Sequence, residues 1–315
     1  MADWRPSASL EALRARARLL ADIRQFFDTR QVLEVETPVL ASAGVTDPAL
    51  EPFCVETTAG MRFLQTSPEY AMKRLLAAGS GDIYQLAKAF RANEQGARHN
   101  PEYTLLEWYR LDFDHHQLIR EVAELLVLIL GRPGWQVWPW KQLFSHVLDL
   151  DAANSDVQQL VDCATNVLGH EPPALDRDGL LDLLMSHAIE PAIATWGVVF
   201  VVDYPASQAA LARRFERGGS LWGARFECYV DGIEIANGYW EASDANDLRA
   251  RFTADNQVRE SRGLPERPID ERLLAAMEAG LPDCAGVALG IDRVLMLQAR
   301  GERIDNTLAF PWDRA

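Results

Sequence analysis

Two arginines stand where the chain could bind a phosphorylated ligand, and Arg91 is the first of them. It follows an apolar run, and the polar stretch Asn93–Pro101 separates it from a second apolar run, Tyr103–Phe113. A guanidinium between two strands would form a cradle for phosphate, because its planar fork binds two phosphate oxygens and stays charged. The same residues also allow a simple surface ion pair between Arg91 and Glu94.

The second arginine lies at a strand-to-helix turn near the end of the chain. The apolar run Ala285–Leu289 breaks at Gly290, and Arg293 falls in the first turn of the helix predicted to follow. Backbone N–H groups at a helix start favour an anion, and Arg293 would add a fixed positive charge. A plain strand-to-helix turn would give the same local pattern.

A third group of residues supplies oxygen atoms. Glu234, Asn237 and Glu241 follow Asp231-Gly232, a strong signal for a two-residue hairpin turn. Strict alternation would place Glu234 and Glu241 on opposite faces unless Gly238 bulges the strand. Carboxylates near a phosphate cradle would suit Mg²⁺, which prefers oxygen ligands. Solvated hairpin carboxylates are the alternative.

Hydrophobic periodicity predicts the elements that must position these residues. It predicts a first helix over Leu10–Arg30 with Ser9 as its N-cap and with one apolar face, formed by Leu10, Leu13, Ala17, Leu20, Ile23 and Phe27. Further helices are predicted over 68–78, 116–130 and 245–262, with helical pieces near 156–168 and 179–187. Strands are predicted over 32–38, 83–90, 103–113, 197–203, 224–230, 233–240 and 285–289. This pattern indicates an antiparallel α+β domain. We expect one domain, residues 1–315, within which 131–195 forms an insertion or subregion.

Composition narrows the function classes. The chain has 315 residues, is 48% hydrophobic and carries a formal net charge of −15. Such an acidic chain is disfavoured as a primarily nucleic-acid-binding protein. Its four cysteines form no CxxC pair, so neither a zinc site nor a disulfide framework is expected. With no apolar leader, and Leu125–Leu130 as the longest apolar run, we expect a cytosolic protein without membrane association.

Five segments, taken in order, resemble the signature motifs of class II aminoacyl-tRNA synthetases, most closely those of the lysyl type. The dimer-interface motif is Glu34–Pro38, and the amino-acid loop is Gln65–Glu69. The second motif is Phe90–Tyr103. The lysyl-type carboxylate segment is Glu234–Glu241, and the third motif is Gly290–Arg293. The match runs from Leu10 to the C-terminus. It implies the class II catalytic-domain fold, an antiparallel sheet flanked by helices, and formation of an aminoacyl-adenylate from ATP with Mg²⁺.

The resemblance also implies roles for single residues. Arg91 would hold the α-phosphate, and Arg293 the γ-phosphate side of a bent ATP. The rest of the ATP site would be Ala92, Asn93, His99, Asn100, Glu234, Ile235 and Gly290. Glu234 and Glu241 would hold Mg²⁺, unless Glu241 reaches the substrate amine. The amino-acid pocket would be lined by Ser67, Pro68, Glu69, Glu107, Tyr109, Asn237, Glu241 and Ala288. An acidic lining fits a cationic lysine, because opposite charges attract more strongly in a desolvated pocket.

Two positions depart from the lysyl-type pattern. Asn93 stands where the second motif usually has the glutamate that faces adenine, and the glutamate has moved to Glu94. Asn93 can still donate and accept hydrogen bonds. Ala288 replaces a glycine, and we expect its methyl group to reshape the amino-acid pocket.

The ends of the sequence narrow the resemblance further. Only Met1–Ser9 precede the first predicted helix, so we expect no N-terminal OB-fold of the kind that reads the anticodon in lysyl-type synthetases. An architecture without that OB-fold, together with the segments Gly286–Gly290 and Ala309–Ala315, is most similar to the elongation factor P–lysine ligase family. Members of that family transfer a lysyl group, preferentially β-lysyl, to a lysine ε-amine of elongation factor P.

The resemblance therefore implies elongation factor P as the acceptor, lysine or β-lysine as the substrate, and a homodimer, whereas tRNA is not expected. Two alternatives stay open. One is a minimal lysyl-tRNA synthetase, and the other is a catalytically inactive, synthetase-like regulatory module. For docking of the acceptor, we expect the arginines of the first helix, Arg14, Arg16 and Arg18, to form a basic surface.

Overall fold

The computed structural model describes residues 4–315. The start of the chain, from which we expect no targeting segment, therefore lies partly outside the described residues. Over the described range, no helix combines the length and the apolar character that crossing a bilayer requires.

The helices include those predicted from the sequence and three that were not predicted, over 140–148, 190–193 and 271–280. In chain order they are α1 (Leu10–Asp28), α2 (Glu69–Ala77), α3 (His115–Leu130), α4 (Trp140–Leu148), α5 (Val157–Leu168), α6 (Arg177–Leu184), α7 (Glu190–Ile193), α8 (Ala245–Ser261), α9 (Glu271–Gly280) and α10 (Ile291–Gln298). Ser9 caps α1 as expected, because its side chain accepts a hydrogen bond from the Ala12 backbone N–H.

The strands are mostly paired antiparallel. They are β1 (Leu33–Glu34), β2 (Leu40–Ala41), β3 (Cys54–Thr57), β4 (Gly60–Leu64), β5 (Ile83–Phe90), β6 (Glu102–Leu111), β7 (Trp135–Pro139), β8 (Val198–Pro205), β9 (Arg214–Arg217), β10 (Ser220–Val230), β11 (Ile233–Trp240) and β12 (Cys284–Gly290). The α+β class expected from the sequence is confirmed. The predicted strand 32–38 shortens to β1, which pairs with β5 over two residues.

The chain forms two compact units, and the first comprises residues 4–112, 128–130 and 243–315. Its strands run in the order β1-β5-β6-β12, beside a small sheet β2-β4-β3. Phe27 of α1 stacks on Tyr84 at 4.5 Å between ring centroids and meets the edge of Trp108. These aromatic contacts fix α1 against β5, which leads into Arg91, and against β6, which carries Glu107.

The second unit comprises residues 113–127 and 131–242. Its strands run in the order β11-β10-β8-β7, with β9 paired to β10. The segment 131–195 contributes α4–α7, whose buried side chains pack with Val199 and Val201 of β8 in one hydrophobic cluster. The expectation of a single domain stays a prediction.

Two expectations for α1 are wrong. The predicted apolar face included Leu10 and Ala17, but both are exposed, and the buried residues are Leu19, Ile23, Phe26 and Phe27. The apolar face is rotated, because the aromatic contacts made by the last turn of the helix decide which side is buried.

The proposed basic docking surface also loses a member. Arg16 forms an ion pair with the buried Asp292, and it also contacts Thr104 and Thr307. It therefore ties α1 to the start of α10 rather than facing a partner. Arg14 and Arg18 are exposed.

Candidate active site

A buried acidic group forms the centre of the amino-acid pocket predicted from the sequence. Glu107 of β6 is 2% exposed, and two hydroxyl groups donate to it. Ser67 donates to its Oε2 and Tyr109 to its Oε1, each at 2.7 Å. Ser67 also accepts from the backbone N–H of Glu69, the first residue of α2, whose N-cap is Pro68. The structure thus brings five predicted pocket residues together.

The surroundings of Glu107 change its acidity. Burial, followed by the nearby charge of Glu69, raises the pKa of Glu107 to about 8, although the hydrogen bonds from Ser67 and Tyr109 oppose the shift. At neutral pH this carboxyl is therefore mostly protonated unless a cation lies beside it. A cation entering the pocket would favour the ionised form.

Lys73 belongs to the same pocket, although it was not predicted from the sequence. Its side chain is 1% exposed, and its Nζ lies 2.5 Å from Glu69 Oε1, one helical turn away. The spacing Glu-x-x-x-Lys in α2 was the available signal. Because Lys73 offsets the charge of Glu69, it limits the negative charge that faces Glu107.

Ala288 lies where the sequence analysis expected it to matter. It is the direct antiparallel partner of Glu107 in the β12–β6 pairing. Side chains at such paired positions have Cβ atoms roughly 5 Å apart. The methyl group that replaces the lysyl-type glycine therefore borders the carboxyl that defines the pocket.

A cavity of about 400 Å³ adjoins Arg91. Its lining consists of Pro48, Ala49, Glu51, Arg91, Asn93, Glu94 and Leu264. Both Asn93 and Glu94 face it, so the residue at the usual glutamate position and the displaced glutamate border the same space. Ala92 joins this wall through its backbone N–H, which donates to Glu51 O at 2.8 Å.

Arg91 makes the ion pair that was the alternative explanation of its motif. Its Nη1 lies 3.1 Å from Glu94 Oε1, and its guanidinium lies 5.4 Å from the centre of the Tyr103 ring. The side chains of Arg91 and Glu94 are 31% and 30% exposed. An ion pair this open to water contributes little stability, so a phosphate could replace Glu94 at small cost.

Arg293 is the third residue of α10, in the first turn after the N-cap Gly290. Its Nη2 lies 2.6 Å from His99 Nε2. Burial and the charge of Arg293 lower the pKa of His99, which keeps the imidazole neutral and able to accept a hydrogen bond. The structure therefore joins two residues of the predicted ATP site.

Asn100 and Asp292 hold this part of the site in place. Asn100 is buried, donates to Glu102 O at 2.5 Å and accepts from the Trp312 backbone N–H at 2.9 Å. Asp292 accepts from the Thr104 backbone N–H at 2.7 Å. These bonds fix the loop before β6 and the start of α10, the two segments that carry His99 and Arg293.

In the second unit, β11 carries the predicted carboxylate Glu234, and Glu241 directly follows the strand. Asp231 and Gly232 both have positive φ, 52° and 75°, as the predicted hairpin turn requires. The β10–β11 pairing skips Ile235, so the bulge lies there and not at Gly238. One inserted residue changes the alternation, which allows Glu234 and Glu241 to lie on the same face.

Neighbouring residues of β10 position Asn237. Arg225 Nε donates to Asn237 Oδ1 at 3.3 Å, and the same guanidinium pairs with Glu227. Tyr204 and Tyr229 donate to Glu227 at 2.6 and 2.5 Å. The amide oxygen of Asn237 is thereby engaged, which fixes the orientation of its side chain.

The predicted Mg²⁺ ligands fit that ion chemically. Glu234 and Glu241 supply carboxylate oxygens, the donors Mg²⁺ prefers, and the bulge at Ile235 permits them a common face. Glu241 is 1% exposed. Their role as metal ligands stays a prediction.

Comparison with known proteins places the chain in a family. Residues 1–314 match the family described as tRNA synthetases class II (D, K and N). The chain therefore belongs to the class II tRNA synthetase family, as its α+β fold and ordered motifs had indicated.

Three proteins that are similar to this chain over almost their full length carry the same description. Proteins described as elongation factor P--(R)-beta-lysine ligase are 48% identical in Vibrio cholerae and 46% identical in Proteus mirabilis and Haemophilus influenzae. The alignment with the Vibrio cholerae protein covers 99% of this chain and 99% of that relative. The corresponding shares are 100% and 99% for Proteus mirabilis, and 99% and 98% for Haemophilus influenzae. The chain is a ligase of the class II synthetase type.

Proposed function

We propose that this protein activates lysine, preferentially β-lysine, as an adenylate and transfers the lysyl group to a lysine ε-amine of elongation factor P. The observation that carries the proposal is the identity of 46–48% over almost the full length of relatives described as ligases of that kind. The buried acidic pocket supports it, because Glu107 and Glu69 suit a cationic amino acid.

Adenylate formation begins when the carboxylate of the amino acid attacks the α-phosphorus of ATP. A P–O bond forms, the bond to the β-phosphate oxygen breaks, and pyrophosphate leaves. Negative charge grows on the phosphoryl oxygens, and a guanidinium placed beforehand stabilises it. In this proposal Arg91 exchanges Glu94 for the α-phosphate, and Arg293 exchanges His99 for the γ-phosphate. Mg²⁺ held by Glu234 and Glu241 would neutralise phosphate charge.

Transfer then requires a neutral amine as nucleophile. The ε-amine attacks the adenylate carbonyl, the C–O bond to AMP breaks, and the amine loses its proton to water as the amide forms. A net charge of −15 repels a polyanion such as tRNA, which favours an amine acceptor on a protein. Free cysteines at all four positions are consistent with the cytoplasmic location that the proposal includes.

We further propose a homodimer formed through the dimer-interface motif. Leu33, Val39 and Leu40 are exposed in and beside β1 and β2, and Val55 and Met61 of the small sheet are exposed as well. A dimer would cover these apolar side chains. We expect a dimer in analytical ultracentrifugation at micromolar concentration and a shift toward monomer for Leu33→Glu. A wild-type monomer at that concentration would contradict the dimer.

The adenylate step can be tested by ATP–pyrophosphate exchange with single amino acids. We expect lysine and β-lysine to support exchange and aspartate and asparagine, the other substrates of the family, to fail. Exchange with none of them would support the inactive regulatory module. Exchange with aspartate alone would contradict the assigned pocket.

A further inference from the structure

Two histidines and an aspartate meet in the second unit, in a cluster that the proposed ligase chemistry does not use. His115 and His116 open α3, and Asp203 lies near the end of β8. One possible metal-ligand atom from each residue lies within 4.8 Å of the others. Imidazole nitrogens together with a carboxylate oxygen form a common donor set for Zn²⁺.

Two members of the cluster are buried without hydrogen-bond partners. His115 is 6% and Asp203 5% exposed. Among the described residues, neither ring nitrogen of His115 nor Oδ1 of Asp203 has a hydrogen-bond partner. Buried polar atoms are normally paired, because an unpaired one loses its hydration without compensation. His115 Nε2 and Asp203 Oδ1 lie 3.4 Å apart, longer than a normal N–H···O hydrogen bond, so a ligand between them would satisfy both atoms.

The spacing between the buried atoms fits a metal ion better than a hydrogen bond. His115 Nε2 lies 3.4 Å from Asp203 Oδ1. Two donors in a tetrahedral zinc site, each roughly 2.0–2.1 Å from the ion, are about 3.3 Å apart. His116 is exposed, and its ring lies against that of His115, with 4.1 Å between the ring centroids.

The backbone directs Asp203 toward the histidines. Its φ is 61°, a left-handed conformation that few non-glycine residues adopt. The β8–β10 pairing jumps from Gly223↔Tyr204 to Phe226↔Val202, so two residues of β10 oppose Asp203 alone. Such a bulge re-aims a side chain.

The charges around the cluster both favour and oppose a cation. Arg217 Nη1 lies 2.5 Å from Asp203 Oδ2, and the helix start adds partial positive charge. Asp114, the N-cap of α3, lies beside the histidines and contributes the opposite charge. Arg217 is 62% exposed and occupies only Oδ2, which leaves Oδ1 to a metal.

We propose that His115, His116 and Asp203 form a binding site for a divalent transition-metal ion, with Zn²⁺ as the expected occupant and water as the fourth ligand. The site ties the start of α3 to the bulge in β8. Among the described residues, no acceptor orients the second ring nitrogen of His115, and the positive charge of Arg217 lies close to Asp203. We therefore expect a zinc affinity on the order of micromolar rather than that of a closed structural zinc site.

The test uses the full-length, metal-free protein and Zn²⁺ alone. Isothermal titration calorimetry should give one zinc ion per chain, and His116→Ala and Asp203→Asn should each weaken binding at least tenfold. His187→Ala is the matched control, because His187 is also exposed but lies outside the cluster. Zinc should raise the melting temperature of the wild type and of the control by a few degrees, and that of the two cluster variants by less.

A second measurement identifies the ligands and guards against misfolding. Far-ultraviolet circular dichroism must first match wild type for each variant. Co²⁺ in place of Zn²⁺ should then give the visible absorption of a four-coordinate nitrogen–oxygen site, which His116→Ala should remove. Absence of zinc binding at micromolar concentration would overturn the proposal. So would equal binding by wild type and folded Asp203→Asn, since a bare His115–Asp203 ion pair would then explain the cluster.

Discussion

The amino-acid pocket and the phosphate side of the site, both within the first unit, are built in opposite ways. Glu107 and Lys73 are almost completely buried and bonded to their neighbours. Arg91 is about a third exposed, and its contact Glu94 is equally exposed. The proposed amino-acid pocket is therefore built from buried groups that are bonded to one another, whereas a phosphate on the proposed ATP side would replace the exposed Arg91–Glu94 contact.

This difference separates selectivity from catalysis. A rigid, desolvated pocket discriminates between ligands because a wrong one leaves buried polar groups unpaired. An open guanidinium discriminates little, but it stabilises whatever negative charge develops beside it. Substitutions on the two sides should therefore change different measured quantities.

The largest expected effect concerns the phosphate side. Arg91→Ala and Arg293→Ala should each lower ATP–pyrophosphate exchange by at least about a hundredfold, roughly 3 kcal/mol of transition-state stabilisation. Arg18→Ala is the control, because Arg18 is exposed on α1 away from the site. Melting temperatures should match wild type. Exchange within about tenfold of wild type would remove these arginines from the mechanism.

Substitution in the buried pocket should be costly for stability. Lys73→Met should lower the free energy of unfolding by about 3 kcal/mol, because it leaves Glu69 without its buried cation. The matched surface pair is Arg24–Glu34, with side chains 51% and 39% exposed. Arg24→Met should cost less than about 1 kcal/mol. Equal losses in urea denaturation would mean that the two pairs are energetically alike.

Lysine binding should release a proton from Glu107 near pH 7. The pKa of about 8 lies above the ordinary 4.5, so the carboxyl is mostly protonated at neutral pH unless a cation lies beside it. Affinity should therefore rise with pH up to about 8. For the same reason, the contribution of Glu107 to stability is fully present below pH 4.5 and is lost as the pH rises through 8.

Calorimetry in buffers of different ionisation enthalpy measures the released proton. Glu107→Gln should abolish the release and weaken lysine binding by about 30-fold, roughly 2 kcal/mol. Glu94→Gln, outside the pocket, should retain the release. Binding enthalpies that do not depend on the buffer in wild type would place the lysine away from Glu107.

The smallest effect is expected at Ala288. Because its methyl group borders Glu107, Ala288→Gly should raise kcat/KM for α-lysine relative to β-lysine by about fivefold, roughly 1 kcal/mol. Parallel exchange assays with both isomers give this ratio directly. A ratio equal to that of wild type would show that selectivity between the isomers arises elsewhere in the pocket.

The sequence predicted those parts of the molecule that depend on local pattern. Strands β5 and β11 match their predicted limits, and Glu69 and Tyr109 lie close to Glu107, while their role in an amino-acid pocket stays a prediction. Local alternation could not locate the bulge at Ile235, because strand pairing decides which residue is skipped.

Residues brought in from distant parts of the chain were not predictable. Glu51 lines the cavity beside Arg91 and pairs with the fully buried Arg259, far along the chain. Arg16 and Asp292 likewise pair across most of the sequence. No short spacing links these residues, so only the folded chain brings them together.

The central claim, transfer of a lysyl group to a protein amine, is tested most directly by intact mass spectrometry of elongation factor P. The factor is incubated with this protein, ATP and either lysine isomer, and tRNA-Lys charging is measured in parallel. We predict a mass increase of one lysyl group on the factor, greater with β-lysine, and little charging of tRNA. An unmodified factor together with efficiently charged tRNA-Lys would contradict the account.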